Sequence, residues 1–211
     1  MMDESIKYFD EVASNWDNMR TEFFLENVRL VAYETAQIEE GKIAADIGAG
    51  TGFITEGLIQ KNAKVIAVDQ SKEMLNLLKN KFSNYTDLKC IQGVGENIPI
   101  EDNIVDYVFA NMFLHHVENP SMVIKEMKRI LKPGGKLIIT DLDEHNFEFL
   151  KTEQYDVWMG FNRTQIIKWF EDAGLKNISV NCVGSNCCAD SKCGCSKASI
   201  SIFVAYGEKS K

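Results

Sequence analysis

The stretch Ala45-Asp46-Ile47-Gly48-Ala49-Gly50-Thr51-Gly52 decides the fold. An apolar run, Lys42-Ile43-Ala44-Ala45, leads into it and predicts a buried strand, while residues 53–60 have the pattern of a helix start. Glycines at alternate positions let the backbone turn tightly and let a ligand approach where a Cβ atom would clash. The sequence therefore predicts a strand, a ligand-binding turn and a helix in succession.

A carboxylate follows this turn at the distance expected for a ribose contact. Asp69 ends the apolar run 64–69, about 20 residues beyond the turn, where it can accept hydrogen bonds from a ribose diol. The spacing Gly-x-Gly-x-Gly differs from the pyrophosphate fingerprint Gly-x-Gly-x-x-Gly, and Asp46 would repel a pyrophosphate but attract an ammonium group. These features favour S-adenosylmethionine over NAD. The alternatives are an NAD-dependent oxidoreductase, which they disfavour, and a tight turn without a ligand.

Residues 46–52 resemble motif I of the class I S-adenosylmethionine-dependent methyltransferases. Further motifs of that family follow in the right order between residues 40 and 142. They are the ribose-binding acid at Asp69, the loop beside the adenine at 92–99, the fourth strand at 106–110 and the turn into the fifth strand at 131–137. Within the class, Leu114-His115-His116-Val117 is most similar to the ubiquinone/menaquinone C-methyltransferase-like branch.

This resemblance implies an α/β fold: a single Rossmann-like class I methyltransferase domain with a seven-stranded, mostly parallel sheet. Its last strand is expected to be antiparallel and to lie between the fifth and sixth. Alternating strand and helix patterns argue independently for a parallel sheet. We divide the one domain, residues 1–211, into an N-terminal helical cap at 1–40, a cofactor-binding core at 41–142, and a remainder at 143–211. That last part contains substrate-side helices, the final hairpin and a cysteine-rich loop.

The resemblance also implies which residues bind S-adenosylmethionine. The glycine-rich turn would hold the methionine half, Asp69 the ribose, and Gly95 and Glu96 would flank the adenine. The full candidate set is Asp46, Gly48, Ala49, Gly50, Gly52, Asp69, Gln70, Gly95, Glu96 and Asn111. Many relatives have an aspartate where this chain has Val94. Glu96, a backbone carbonyl or packing alone would have to replace that acceptor.

Two histidines follow the predicted fourth strand and are the candidate catalytic residues. His115 and His116 would face the substrate side, where either can serve as a general base or contact the substrate. The alternative is that one packs against a helix and the other is solvated. The run 141–145, rich in carboxylates and ending in a histidine, can orient a substrate or hold a metal, or it is a solvated loop.

Five of the six cysteines lie within residues 182–195. Cys182 shares a predicted strand face with Ile178 and Val180, which indicates core packing. The other four, Cys187, Cys188, Cys193 and Cys195, fall in a long polar loop predicted between strands at 178–182 and 199–204. Their spacing differs from that of a zinc ribbon and suits a soft metal or metalloid ion, at the rim of the methyl-transfer pocket. A reduced, mobile loop is the alternative.

Composition limits the partners. A net charge of -8 disfavours a nucleic acid, and no apolar run approaches the roughly 20 residues of a membrane span. We expect a cytoplasmic enzyme that transfers a methyl group to a small-molecule acceptor by in-line displacement. Its oligomeric state is left open, a dimer included. One alternative is a methyltransferase for arsenite or another soft metalloid, and another is a metal-sensing, cofactor-binding protein without turnover.

Overall fold

A seven-stranded sheet lies at the centre of the computed structural model, which describes residues 2–23, 25–191, 194 and 196–211. The strands are β1 (Ile43–Ile47), β2 (Lys64–Asp69), β3 (Leu88–Gln92), β4 (Val105–Asn111), β5 (Leu131–Leu142), β6 (Leu175–Asp190) and β7 (Lys197–Lys209). Their order across the sheet is β3-β2-β1-β4-β5-β7-β6.

The strand directions confirm the predicted sheet. Neighbours from β3 through β5 pair in parallel, whereas β7 pairs antiparallel with both β5 and β6. The last strand therefore lies between the fifth and the sixth, and β6 is parallel to β5. The strand order reverses between β1 and β4, and in such sheets the crevice outside the carboxyl ends at this point is where ligands bind.

Helices cover both faces of the sheet. They are α1 (Met2–Val12), α2 (Trp16–Phe23), α3 (Asn27–Ala36), α4 (Phe53–Gln60), α5 (Lys72–Lys81), α6 (Pro120–Ile130), α7 (Phe149–Glu153) and α8 (Arg163–Asp172). The buried side chains of α3 and α4 belong to the core on one face, and those of α6 and α8 to the core on the other. The sheet is thus buried between two apolar layers, as parallel sheets usually are.

Side-chain caps define the starts of two helices at the carboxyl edge of the sheet. Ser71 Oγ accepts a hydrogen bond from the Met74 amide at 3.1 Å, and Asn119 Oδ1 accepts one from the Met122 amide at 3.2 Å. Pro120 occupies the first position of α6, where its missing N–H leaves no helical bond unmade. These caps fix where α5 and α6 leave the carboxyl edge of the sheet.

The final hairpin corrects the predicted cysteine-rich loop. Strands β6 and β7 extend to Asp190 and Lys197, so Cys187 and Cys188 are not in a loop but pair with Ile200 and Ser199 on β7. Cys187 is buried, and Cys182, for which core packing was predicted, is exposed. A register shift between Cys182 and Asn186 changes which side chains face the core. The period-two pattern therefore could not be extended from one half of the strand to the other.

The N-terminal helices lie over the carboxyl edge of the sheet. Thr51 Oγ1, in the glycine-rich turn, donates a hydrogen bond to Asp17 Oδ1 at 2.6 Å, and Ser71 Oγ donates one to Asp10. Tyr8 donates from its hydroxyl to Gln154 Oε1 at 2.8 Å. Polar contacts to three separate segments therefore hold this part of the chain above the crevice. None of the described helices is long and apolar enough to span a membrane.

Candidate active site

A cavity of about 570 Å³ opens at the carboxyl ends of β1, β2 and β4 and beneath the N-terminal helices. This volume lies within the range of about 300–1,000 Å³ usual for small-molecule sites. Its lining includes most of the candidate residues, namely Asp46, Gly48, Ala49, Gly50, Asp69, Gln70, Gly95, Glu96, Asn111 and His116. Of the cofactor-binding and catalytic candidates, Gly52 and His115 are not part of this lining.

Glycines in the turn serve two different purposes. Gly50 has φ +53°, a conformation that favours glycine, and a Cβ atom there would only reach van der Waals contact with Trp16 Nε1 at 3.6 Å. Gly52 has φ +96°, and a Cβ atom there would lie 2.8 Å from the Phe82 ring on the far side of the turn. Any effect of Gly52 on a cofactor therefore acts through the shape of the turn.

Asp69 is fixed by backbone amides at the end of β2. Its Oδ2 accepts from the Gly50 amide and its Oδ1 from the Ser71 amide, both at 2.8 Å. An ionised carboxylate has about four acceptor positions, so acceptor capacity remains for a hydroxyl group in the cavity. Burial raises the pKa of Asp69, and the backbone amides of Ser71, Gly50 and Gln70 oppose this shift. The arrangement is a rigid, partly desolvated acceptor beside the glycine-rich turn.

Asp46 lies deeper, at the end of β1, and is almost fully buried. Its Oδ2 accepts a hydrogen bond from Thr55 Oγ1 at 2.7 Å. Burial raises the pKa of Asp46 to about 7, an effect that the bonds from Thr55 oppose and nearby Asp69 reinforces. A cation in the cavity would offset the cost of burying the charged carboxylate, which agrees with the predicted attraction of an ammonium group.

The loop between β3 and β4 forms another wall. Val94, Gly95 and Glu96 all line the cavity. Val94 stands where many relatives have an aspartate, and its side chain offers no hydrogen-bond acceptor. Arg129 on α6 holds this loop by donating to the Ile98 and Ile100 carbonyl oxygens at 2.9 and 2.8 Å. The loop is thus positioned by a charged network outside the cavity.

Past β4, a short 3-10 turn (Leu114–His116) carries the two histidines. His115 Nδ1 lies 2.6 Å from Asp141 Oδ1, and its Nε2 faces Asp156 Oδ1 at 3.8 Å. Burial lowers the pKa of His115, but attraction to Asp141 and Asp156 outweighs this and raises it to about 9. His115 is therefore a buried, ion-paired residue, whereas His116 faces the cavity.

His116 and Asp156 belong to the cavity wall. His116 Nδ1 lies 3.8 Å from Asp156 Oδ1, and both residues line the cavity together with Tyr155. Burial and the adjacent His115 lower the pKa of His116 well below its usual value. A catalytic role for either histidine stays a prediction. Sequence reasoning missed Asp156 because it lies far along the chain in a stretch without periodicity.

Two carboxylates of the run 141–145 have different contacts. Asp141 is buried, accepts from the Leu114 amide at 2.8 Å and orients His115. Asp143 instead accepts two bonds from Arg163, at 2.7 and 2.6 Å, and one from Ser201, and so joins β5, α8 and β7. The alternative of a solvated loop was therefore wrong for both residues, and neither belongs to the group of metal-ligating side chains that converges in the described part of the chain.

The predicted soft-metal site has no support among the described residues. Burial raises the pKa of Cys187 to about 12, and Cys188 Sγ contacts Ser199 Oγ at 3.9 Å. In the ranges that the structure describes, one group of three metal-ligating side chains converges, and it contains no cysteine. Cys193 and Cys195 lie outside the described residues.

The cavity fits S-adenosylmethionine by its donor chemistry. Asp46 supplies buried negative charge for a cation, Asp69 has spare acceptor positions for a diol, and Gly50 leaves open backbone beside them. Gln70, Val94 and Glu96, predicted to lie beside the adenine, line the same cavity, and the Val94 side chain offers packing only.

Comparison with known proteins agrees with this chemistry. A family model described as a methyltransferase domain matches residues 45–139. Demethylmenaquinone methyltransferase of Staphylococcus carnosus is 25% identical over 206 residues, covering 82% of this chain and 86% of that protein. An uncharacterized protein of Methanocaldococcus jannaschii is 31% identical, with coverage of 81% and 82%. The biotin biosynthesis bifunctional protein BioHC of Cellvibrio japonicus is 29% identical, but the chain spans only 35% of its length.

A solved structure shares the fold. A putative methyltransferase bound to the Trm112 methyltransferase activator of Haloferax volcanii superimposes with a TM-score of 0.77 at 19% identity, covering 96% of this chain and 98% of that one. The relatives, the matched domain and the cavity agree. The chain therefore belongs to the class I S-adenosylmethionine-dependent methyltransferases, in their quinone-methyltransferase-like branch.

Proposed function

We propose that this enzyme transfers a methyl group to a small-molecule acceptor bound beside His116, Tyr155 and Asp156. The observation that carries the proposal is the division of the cavity into two chemically different parts. Asp46, Asp69 and the open turn form the first part, while aromatic and apolar side chains surround the histidine in the second. S-adenosylmethionine bound in the first part supplies a methyl group on a positively charged sulfur.

The protein's own residues would bind, orient and exclude water. Asp69 would accept from the ribose hydroxyls, Asp46 would attract the ammonium group, and Gln70, Gly95 and Glu96 would flank the adenine. Gly48 lies against the ring of Phe113, where a Cβ atom would approach to 2.3 Å, so the turn packs directly on a residue that lines the cavity just before the histidines. That contact would set the distance between donor and acceptor, and in-line displacement depends chiefly on this positioning.

The acceptor part of the cavity favours a flat or apolar molecule. Phe9 and Trp16 from the N-terminal segment pack edge to face with ring centroids 5.6 Å apart, and Phe9 contacts the His116 ring at 5.1 Å. Together with Tyr155 and Val157 they line the cavity. Such surfaces bind rings and hydrocarbon groups by removing apolar area from water. An aromatic or quinol-like acceptor, of the kind named for the demethylmenaquinone relative, fits this lining.

The test combines donor binding with product formation. We expect calorimetry to detect S-adenosylmethionine binding and no NAD binding, and a labelled-methyl assay over a panel of quinols and phenols to give a methylated product. Asp69→Asn should weaken donor binding about 10- to 100-fold, because charge-assisted hydrogen bonds contribute about 1.5–3 kcal/mol. Asp87→Asn is the matched control, since Asp87 is exposed at the opposite end of the sheet. Equal effects of both variants would contradict the assigned donor site.

A further inference from the structure

One cluster near the acceptor wall has the composition of a metal site. His115, His116 and Asp156 each offer one ligand atom, and the three atoms lie within 4.8 Å of one another. Asp156 Oδ1 lies 3.8 Å from His115 Nε2 and 3.8 Å from His116 Nδ1. Both distances exceed hydrogen-bond length. They are close to the separation of about 3.4 Å between neighbouring ligands of a tetrahedral ion with bonds of about 2.0–2.1 Å.

The surrounding contacts orient two of the three ligands, while His116 Nδ1 lies 3.5 Å from the Tyr155 carbonyl oxygen. Asp141 binds His115 Nδ1 at 2.6 Å and so leaves Nε2 directed at Asp156. Metal-binding histidines are usually held by a carboxylate in this way. The His115 carbonyl oxygen accepts from the amides of Val157 and Trp158, both at 3.0 Å, which ties the segment carrying Asp156 to the histidine turn. Hydrogen bonds within the protein therefore hold His115 and the segment that carries Asp156 in place.

Charge supports a divalent cation. His115 pairs with the buried carboxylates of Asp141 and Asp156, so a single imidazolium faces two negative charges. An ion of charge +2 that takes the place of the proton on His115 Nε2 would balance both carboxylates. Two imidazole nitrogens and one carboxylate oxygen suit Zn²⁺, Fe²⁺ or Co²⁺ better than Mg²⁺ or Ca²⁺, which prefer oxygen ligands.

We propose that His115 Nε2, His116 Nδ1 and Asp156 Oδ1 bind a divalent transition-metal ion whose open position faces the acceptor. His116 and Asp156 line the large cavity, so the fourth ligand would come from that side. The acceptor class is then a small molecule with a hydroxyl group that binds the ion. This inference rests on the proposed function for its catalytic meaning, but the metal site itself does not.

The ion would act as a Lewis acid. The metal-bound hydroxyl loses its proton to water, and the oxygen's electron pair forms the new bond to the methyl carbon. The carbon–sulfur bond breaks with its pair kept on sulfur, which leaves as a neutral thioether. A bound ion lowers the pKa of an oxygen ligand by several units, so no side chain has to act as the base.

The experiment begins with the ion alone. The purified full-length chain, stripped with a chelator, is titrated with Zn²⁺ by calorimetry and with Co²⁺ by visible absorption. We expect one equivalent to bind. His116→Ala and Asp156→Asn should each weaken binding at least about 10-fold, and Asp141→Asn about 10- to 100-fold through His115. Thermal unfolding by circular dichroism checks that each variant folds, and His116→Gln serves if His116→Ala does not.

Two matched controls separate this site from the other candidates. His145→Ala removes a nearby histidine that is not in the cluster, and Cys187→Ser removes the buried thiol beside it; both should keep wild-type affinity. The proposal would be overturned if the wild-type protein bound no stoichiometric ion, or if the His116 and Asp156 variants bound the ion as tightly as wild type. Loss of binding in Cys187→Ser would overturn it as well.

Donor binding distinguishes the two proposals. The chelated protein should still bind S-adenosylmethionine, because the ion touches none of the donor residues, and methyl transfer should fall in chelator and return with Zn²⁺. Methyl transfer unaffected by chelator would overturn the metal's catalytic role while leaving the proposed function intact. Absent donor binding in a protein that binds Zn²⁺ would contradict the proposed function alone.

Discussion

Donor affinity should depend on pH through one buried carboxylate. The pKa of Asp46 is raised to about 7 by burial. About half of the molecules then carry an ionised Asp46 at pH 7 and about 1% at pH 5. If the donor's ammonium group requires the ionised form, the dissociation constant should rise about 50-fold between pH 7 and pH 5. The donor's own amino group stays protonated throughout, because α-amino groups titrate near 7.7–8.0.

Other titratable groups around Asp46 do not account for this dependence of the donor's dissociation constant on pH. Tyr33 on α3 and Cys90 on β3 face the carboxylate, but burial raises the pKa of both above their usual values, so neither titrates between pH 5 and 7. Asp69 on β2 is the remaining charged neighbour. Thr55 provides a direct handle, because its hydroxyl favours the ionised form of Asp46.

Calorimetry at five pH values with three proteins makes the assay. Asp46→Asn should flatten the dependence between pH 5 and 7. Thr55→Val should move its midpoint to higher pH, since the lost hydrogen bond no longer stabilises the carboxylate. The reasoning is refuted if Asp46→Asn keeps the wild-type slope, which would assign the titration to Asp69 or to a group outside the donor site.

Three further predictions concern the free energy of unfolding of single-residue variants. Because the pKa of Asp46 is raised, the ligand-free protein should lose stability as pH rises from 3.8 through about 7. In urea unfolding, the free energy of unfolding of Asp46→Asn should exceed that of wild type by up to about 4 kcal/mol at pH 8 and by little at pH 4. Arg129→Ala removes the bonds that hold the loop after β3 and should lower the free energy of unfolding by about 2–4 kcal/mol, whereas Arg129→Lys should lose less; a wild-type free energy of unfolding in Arg129→Lys would contradict the role of the planar group. Gly160→Ala places a Cβ atom 2.2 Å from the Asp143 carbonyl oxygen at φ +66°, so unfolding should become easier by about 3 kcal/mol; a wild-type melting temperature would refute the close approach.

The fold was predictable where local signals agree. The turn at 46–52, the caps at Ser71 and Asn119, and the alternation of strand and helix each depend on a few neighbouring residues. All of them proved consistent with the observed sheet. The position of β7 between β5 and β6 came from family resemblance, because nothing in a strand's own sequence encodes which neighbour it pairs with.

The acceptor side was less predictable because its partners are distant in sequence. His115 was identified from its position after β4, yet what it does depends on Asp141 and Asp156, from the next strand and the segment beyond it. Of the carboxylates after β4, Asp156 shows no periodic or motif signal. Backbone bonds from Val157 and Trp158 to His115 help to bring it to the cavity.

Cysteine chemistry misled the prediction for a physical reason. A thiol is both a soft ligand and a small apolar group, and burial decides between these roles. Cys187 and Ala189 are buried on β6 while Asn186, Cys188 and Asp190 are exposed, which is the period-two pattern of a half-buried strand. That pattern is visible in the sequence once Cys187 is counted as apolar. The polar neighbours that suggested a metal loop are the solvent face of the same strand.

Asp143 and Asp156 show how contacts distinguish a carboxylate used inside the fold from one that lines the cavity. Asp143 receives two bonds from Arg163 and one from Ser201, so its acceptor capacity is largely used inside the fold. Asp156 is buried as deeply as many core residues, yet Oδ1 stands 3.8 Å from each histidine. Attraction to His115 across 3.8 Å offsets part of the desolvation of Asp156, and both distances exceed hydrogen-bond length. An ion in that gap accounts for the burial, the spacing and the bracing by Asp141 together.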